Sequence, residues 1–146
     1  MSSSIQLSGL AQVNLFAADV AAARDWYAGL LGEGPYFQRP DEQHPAYVEF
    51  RIGDHAFELG IVHAPFQPDG ASRVPGGVVA RWHVDDLRST IEKLLAAGAK
   101  AYEPVTDRGA GFVTASVVDP FGNVLGLIQS PHYVEMLGRG RKTPRS

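Results

Sequence analysis

The feature that most constrains the fold is a series of elements that occurs twice along the chain. In the first copy, residues 12–19 alternate with a period of two, which is typical of a strand with one face on the core. Asp19 suits a helix N-cap, because its carboxylate can accept hydrogen bonds from the free amides of the first turn. Apolar residues then recur at helical spacing until Gly32. Two alternating segments, 47–52 and 56–61, follow and predict a hairpin.

The second copy repeats this order. An alternating segment at 79–84 precedes a second cap candidate, Asp86, and a helical stripe that ends at Gly98. Segments 112–118 and 124–128 predict the second hairpin. Asp19 and Asp86 are 67 residues apart, and Glu58 and Gly126 are 68 apart. Nearly constant offsets indicate a duplicated supersecondary unit.

Each unit is short for independent stability, so we expect one cooperative domain with helices outside curved sheets. A ferredoxin-like sandwich is the alternative, but it accounts less well for the extra hairpin strand in each half. The predicted parts are an N-terminal extension (1–9), a first module (10–62), a linker (63–77), a second module (78–133) and a basic C-terminal tail (134–146).

Composition excludes several classes of protein. The 146 residues carry a formal net charge of −3, which argues against a broad nucleic-acid surface. No apolar run approaches the roughly 20 residues that span a bilayer. Cysteine is absent, which removes disulfides, thiolate zinc sites and cysteine nucleophiles, and fits a cytoplasmic protein.

The order and spacing of several short motifs resemble the vicinal oxygen chelate superfamily, which includes glyoxalase I, bleomycin-resistance proteins and extradiol dioxygenases. The most specific motifs are Val84-Asp85-Asp86-Leu87 and Asp119-Pro120-Phe121-Gly122-Asn123, with Trp26-Tyr27 and Leu30-Leu31-Gly32 as a looser first copy. The resemblance implies an α+β fold of two tandem βαβββ modules that form a curved mixed sheet around a cleft. It also implies a homodimer.

Metal-dependent members of that superfamily place four ligands on strands facing the cleft. The matching positions here are Gln12, Glu58, Val79 and Gly126. Glu58 is a strong oxygen ligand and Gln12 a weak one, whereas Val79 and Gly126 offer no donor. We therefore expect no cofactor, and at most a weakly bound divalent metal.

Alternation predicts which other side chains share the cleft face. Asn14 and Phe16 accompany Gln12, and Arg81 and His83 accompany Val79. Tyr47, Glu49 and Arg51 share one face, as do Thr114 and Ser116. The predicted ligand-binding residues are Gln12, Asn14, Phe16, Tyr47, Val79, Thr114 and Gly126, with Val79 and Gly126 making room and apolar wall.

The polar candidates allow two functions, each with a structural alternative. In a binding module, Glu58, Arg81 and His83 orient a small organic ligand. In a glyoxalase-like lyase or isomerase, Glu58 is the base, and Arg81 or His83 stabilises developing negative charge. The structural alternatives are an ion pair of Glu58 with Arg81 or Arg51, and a hydrogen-bonded structural histidine at position 83.

Overall fold

The computed structural model describes residues 4–72 and 74–142, and the side chains of these residues up to Arg139. The start of the predicted N-terminal extension, Arg73 of the predicted linker and residues 143–146 of the predicted tail lie outside this range. The chain divides into two compact units, and the boundary along the sequence lies between Asp69 and Gly70. Within the described ranges, no helix is long and apolar enough to cross a membrane.

The first unit is one βαβββ module. Its elements are β1 (Gln12–Ala17), α1 (Val20–Leu31), β2 (Phe37–Arg39), β3 (Tyr47–Ile52) and β4 (Phe57–His63), followed by a 3₁₀ turn at Ala64–Phe66. The strand order is β1-β4-β3-β2, with β1 parallel to β4 and the other pairs antiparallel.

The second unit repeats the module and adds a helix. Its elements are β5 (Arg81–His83), α2 (Leu87–Ala96), β6 (Lys100–Gly109), β7 (Phe112–Val118), β8 (Val124–Gln129) and α3 (Pro131–Lys142). The strand order β5-β8-β7-β6 matches that of the first sheet. The predicted α+β fold of two tandem βαβββ modules is confirmed, with the described strands paired as two four-stranded mixed sheets rather than as one.

Both predicted helix caps are confirmed. Asp19 Oδ1 accepts a hydrogen bond from the Ala22 amide at 3.0 Å, and Asp86 Oδ1 accepts one from the Ser89 amide at 3.1 Å. Gly32 ends α1 in the left-handed conformation with φ of 76°. Such a conformation is cheap for glycine because it has no Cβ.

One face of each sheet packs under its helix. In the first module, α1 covers the apolar face of β1, β3 and β4, where Phe50, Leu59 and Ile61 are almost completely buried. In the second module, α2 packs on β6, β7 and β8, with Val117 and Leu87 fully buried. The opposite face of each sheet is therefore free of its own helix, and it carries the polar side chains.

Three elements differ from the sequence-based predictions. No strand was predicted between Gly98 and residue 112, but this segment contains β6, which carries Tyr102, Asp107 and Arg108. This strand pairs with β7 through three register irregularities, which remove the regular alternation that reveals a strand. Strand β2 has only three residues, too few to show a period.

A helix covers most of the segment predicted as a basic tail. Helix α3 runs from Pro131 to Lys142, and Ser130 Oγ accepts a hydrogen bond from the Tyr133 amide at 3.0 Å. Serine at the cap followed by proline in the first turn is a favourable helix start. The glycines among the basic residues conceal this helix in the sequence.

Candidate functional site

The polar face of the first sheet carries the predicted site residues of the first module. The register aligns Gln12 with Glu58 and Arg51, and it aligns Phe16 with Val62 and Tyr47. Between these two rows lies a third, in which Asn14, Gly60 and Glu49 are aligned. We call this surface, defined by Gln12, Tyr47, Glu49, Arg51 and Glu58, the first polar face.

A chain of hydrogen bonds joins four side chains of the first polar face. The Tyr47 hydroxyl donates to Glu49 Oε1 at 3.0 Å and accepts from Gln12 Nε2 at 3.0 Å. Gln12 Nε2 also donates to Glu58 Oε1 at 3.2 Å. The Gln12 amide therefore links a phenol to a carboxylate, and each group holds its neighbour in place.

Arg51 supplies the positive charge next to both carboxylates. Its Nε lies 3.7 Å from Glu49 Oε2, and its Nη2 lies 3.8 Å from Glu58 Oε2. Its Cζ lies 3.6 Å from the centroid of the Tyr36 ring, which is a cation–π contact. Of the two arginines considered as partners for Glu58, Arg51 is the one that forms an ion pair with it.

Tyr47 stays protonated over a wide pH range. Burial raises the pKa of its phenol to about 12, helped by the hydrogen bond to Glu49 and by the negative charges of Glu49 and Glu58, while Arg39 opposes the shift. A phenolate here would be desolvated and would face two carboxylates. The hydroxyl therefore acts as a hydrogen-bond donor at neutral pH.

Arg81 lies on the corresponding face of the second sheet, where it pairs with a residue that was not predicted. Its Nη2 lies 3.0 and 3.1 Å from the two carboxylate oxygens of Glu103, and its Nη1 donates to the Ala115 carbonyl at 3.2 Å. Ser116 Oγ donates to Glu103 Oε1 at 2.8 Å. Glu103 was missed because no strand was predicted where β6 lies.

The pKa of the Glu103 carboxyl is lowered. The hydrogen bond from Ser116 contributes most, burial opposes the shift, and Arg81 and Arg108 add to the lowering. Thr114 is also on this face, where its Oγ1 accepts a hydrogen bond from Arg108 Nε at 3.0 Å. We call the group Arg81, Glu103, Arg108, Thr114 and Ser116 the second polar face.

His83 has the contacts of a structural histidine. Its Nδ1 accepts a hydrogen bond from the Ser130 amide at 3.1 Å, so the proton of the neutral ring is on Nε2, which lies 3.1 Å from Asp85 Oδ1. The ring stacks on Tyr133 with centroids 4.7 Å apart. Both nitrogens are engaged, and the ring anchors the start of α3.

His83→Phe is expected to lower the free energy of unfolding by about 1–2 kcal/mol, because the Ser130 amide loses its acceptor while the stack on Tyr133 is kept. Urea denaturation followed by circular dichroism measures the loss. The control is His132→Phe, at an exposed position of α3, with an expected change within about 0.5 kcal/mol. Equal stability of His83→Phe and the wild type would contradict the anchoring role.

Gly126 does not provide the open space expected of it. It pairs with Arg81, and a Cβ at position 126 would lie 2.5 Å from the Ala80 carbonyl oxygen and 2.7 Å from Val79 Cγ1. The space beside Gly126 is therefore filled by Arg81 of β5 and by the two residues before that strand, Val79 and Ala80. The Val79 side chain packs against the glycine.

The pairing also corrects the equivalence between the modules. Gly126 pairs with Arg81 as Gly60 pairs with Asn14, so the counterpart of Gly126 is Gly60 and not Glu58. The β5–β8 register, extended by two residues, sets Val124 at the position that corresponds to Glu58. The offset of 68 between Glu58 and Gly126 was counted along the sequence, and the two hairpins that it spans differ in length.

The residues do not fit a divalent site with four protein ligands. In the part of the chain that the structure describes, no three His, Asp or Glu side chains are grouped to hold a metal ion. Glu58 Oε1 accepts from Gln12, and Oε2 faces Arg51. Val79, Gly126 and Val124 have no donor atom in their side chains.

Comparisons with known proteins agree with the fold. A model of the Glyoxalase/Bleomycin resistance protein/Dioxygenase superfamily matches residues 9–127. No curated protein matches the chain.

Three solved structures illustrate the similarity. A glyoxalase-related enzyme from Fulvimarina pelagi has 22% identity and a TM-score of 0.65, over 86% of this chain and 90% of its own. Protein ATC0852 from Agrobacterium tumefaciens has 18% identity and a TM-score of 0.67, over 84% and 98%. A glyoxalase/bleomycin resistance protein from Catenulispora acidiphila has 21% identity and a TM-score of 0.58, over 84% and 100%. At these identities the structures establish a shared fold only.

Proposed function

We propose that this chain, which belongs to the glyoxalase/bleomycin resistance protein/dioxygenase superfamily, binds a small organic molecule on its first polar face without a strong metal site. The observation that carries this proposal is the hydrogen-bonded chain from Glu49 through Tyr47 and Gln12 to Glu58. These side chains are held in fixed positions on a sheet face that its own helix does not cover. Ordered polar groups beside apolar surface are typical of ligand sites.

The unused acceptors indicate the chemistry of the ligand. Among the described residues, the Oε2 atoms of Glu49 and Glu58 accept no hydrogen bond, and their distances to Arg51 exceed hydrogen-bond length. They can accept from N–H or O–H groups of a ligand. Tyr36 and Phe37 are 65% and 45% exposed and offer aromatic surface in the same module. We therefore propose a ligand with a planar apolar part and several hydrogen-bond donors.

A thermal-shift screen tests this proposal, because a ligand that binds only the native state raises the melting temperature. The compounds are small aromatic molecules with and without donor groups, and divalent metal salts with and without chelator. We expect aromatic compounds with hydrogen-bond donors to raise the melting temperature. The metal salts should cause no rise in melting temperature that a chelator reverses. Failure of every organic compound to stabilise the chain would count against the proposal.

Glu58→Gln is expected to weaken binding of the best compound at least tenfold, or ~1.4 kcal/mol, because glutamine keeps the shape but loses the charged acceptor. Isothermal titration calorimetry measures the affinity, and urea denaturation shows that stability is kept. The control is Glu92→Gln, at an exposed position of α2, with unchanged affinity. Wild-type affinity in Glu58→Gln would place the ligand elsewhere.

A second candidate is a glyoxalase-like lyase or isomerase that acts by proton transfer. It is favoured by Oε2 of Glu58, which accepts no hydrogen bond from the described residues and belongs to a side chain that is 35% exposed and can reach a substrate. Arg51, rather than Arg81 or His83, would then stabilise developing negative charge, because the latter two are engaged in their own module. Turnover of a substrate, or its uptake of deuterium from heavy water, distinguishes this enzyme from a binding protein. The activity should be lost in Glu58→Gln and unaffected by chelator.

Two expectations stay predictions: the homodimer that the resemblance implies, and the cytoplasmic location that the lack of cysteine fits. Sedimentation of the purified chain tests the first of them. The single cooperative domain also stays a prediction, and one unfolding transition, coincident by two probes, would support it.

A further inference from the structure

Gly60 lies at the centre of the first polar face, and its missing side chain leaves space that other groups fill. The residue is buried and pairs with Asn14 on β1 and with Glu49 on β3. A Cβ at position 60 would lie 2.6 Å from Asn14 Oδ1 and 2.8 Å from both Cε1 and Oη of Tyr47. Real Cβ atoms essentially never approach other atoms below 3.0 Å.

The register explains why Tyr47 needs this space. Tyr47 pairs with Val62, whereas Gln12, which donates to its hydroxyl, pairs with Glu58. These rows are four residues apart along β4, which is about 13 Å at the usual rise per strand residue. The Tyr47 ring therefore lies lengthwise over position 60 to meet Gln12. A side chain at that position would push the ring away from the sheet.

Backbone conformation does not require glycine here. The φ angle of Gly60 is outside the left-handed region, so an L-amino acid could adopt the same backbone. Glycine in a strand interior normally weakens the strand. Space for the neighbouring side chains is therefore the reason that the structure gives for glycine at this position.

We propose that Gly60 is a positioning residue of the ligand site, which acts by letting Tyr47 lie across β4 with its hydroxyl between Gln12 and Glu49. The part of this inference that concerns ligand affinity rests on the proposed function. The effect on Tyr47 itself follows from the contacts alone.

The atoms that meet the added Cβ can move, so Gly60→Ala should fold. All three are side-chain atoms, and Asn14 is exposed. The expected response is a displaced Tyr47 ring and loss of the bond from its hydroxyl to Glu49. The pKa of Tyr47, raised to about 12 by burial and by Glu49, should then fall towards the ordinary value of 10.0.

Carbon-13 labelling of the tyrosine Cζ atoms allows this pKa to be followed by NMR, with Tyr47→Phe to assign the resonance. We expect Tyr47 of the wild type to stay protonated up to about pH 11, and Tyr47 of Gly60→Ala to titrate at lower pH. The control is Gly29→Ala, at an exposed position of α1 where an added Cβ has nothing within 4 Å. An unchanged Tyr47 titration in Gly60→Ala would overturn the inference.

Ligand affinity separates the inference from the proposed function. For the best compound of the thermal-shift screen, Gly60→Ala should weaken binding about tenfold in the wild type and add no further loss in a Tyr47→Ala background, which lacks the ring. If the Tyr47 titration shifts but ligand affinity is unchanged, Gly60 still positions Tyr47, and the proposed ligand site is refuted. A further loss of affinity in the Tyr47→Ala background would overturn the inference, because Gly60 would then act on the ligand without the Tyr47 side chain.

A second variant covers the case in which Gly60→Ala does not fold. The double variant Gly60→Ala/Tyr47→Ala removes the ring that the Cβ would meet. Recovery of the folded state in the double variant supports the inference. An equal folding defect with and without the Tyr47 ring would overturn it, because the defect would then come from another contact.

Discussion

Gly126→Ala is expected to lower the free energy of unfolding by about 3 kcal/mol, at the upper end of the usual cost of overpacking. The added Cβ would lie 2.5 Å from the carbonyl oxygen of Ala80, a backbone atom directly before β5 that accepts a hydrogen bond from the Gly126 amide. It would also lie 2.7 Å from Val79 Cγ1 and 3.1 Å from Arg81 Cγ. The edge strand β5 has three residues and would have to move as a whole.

Urea denaturation followed by far-ultraviolet circular dichroism measures this loss. The matched control is Gly29→Ala in α1, which should raise stability by up to about 1 kcal/mol, since alanine is the better helix former. Gly60→Ala is a second comparison, because its close contacts are with side chains. A loss below about 1 kcal/mol in Gly126→Ala would show that β5 yields easily to the added Cβ.

Much of the fold could be predicted because its signals are local. Asp19 and Asp86 begin helices through contacts within one turn, and strands 47–52 and 112–118 show their period directly. The Asp119 turn is also local, since its carboxylate accepts hydrogen bonds from the amides of Phe121 and Asn123 at 2.9 Å. Strand β6 could not be predicted in this way, because bulges that depend on its pairing with β7 interrupt its period.

The candidate site likewise has features that local patterns predict and features that depend on strand pairing. Alternation within one strand suffices to set Tyr47, Glu49 and Arg51 on one face. It cannot show which partners they choose, because ion pairs depend on the register between strands. Arg81 pairs with Glu103, 22 residues away on an irregular strand, and no local pattern encodes that pairing.

The two modules keep the same strand order but carry different charges on equivalent faces. The first polar face has two glutamates and one arginine, whereas the second has two arginines and one glutamate. In the first, the carboxylate Oε2 atoms lie beyond hydrogen-bond distance of Arg51; in the second, Glu103 is bonded directly to Arg81 and Ser116. We therefore propose that the first module recognises the ligand and that the ion pair of the second module is structural.

Glu103→Gln is expected to lower the free energy of unfolding by about 2 kcal/mol at pH 7, because Arg81 loses the negative partner of its ion pair and the Ser116 hydroxyl loses a charged acceptor. The pKa of Glu103 is lowered from its ordinary 4.5, chiefly by Ser116 and then by Arg81. A lowered native-state pKa means that the stabilisation is fully present above about pH 4.5 and is lost as the pH falls through the native value.

The difference in stability between the wild type and Glu103→Gln should therefore be constant from pH 7 to about pH 5.5 and shrink steadily below about pH 4.5. Urea denaturation at a series of pH values measures it. Glu92→Gln, at an exposed position of α2, is the control and should show a small difference at pH 7. A difference that stays constant down to about pH 3 would mean that the carboxylate charge of Glu103 does not stabilise the second module, and that Arg81 is held by its bond to the Ala115 carbonyl instead.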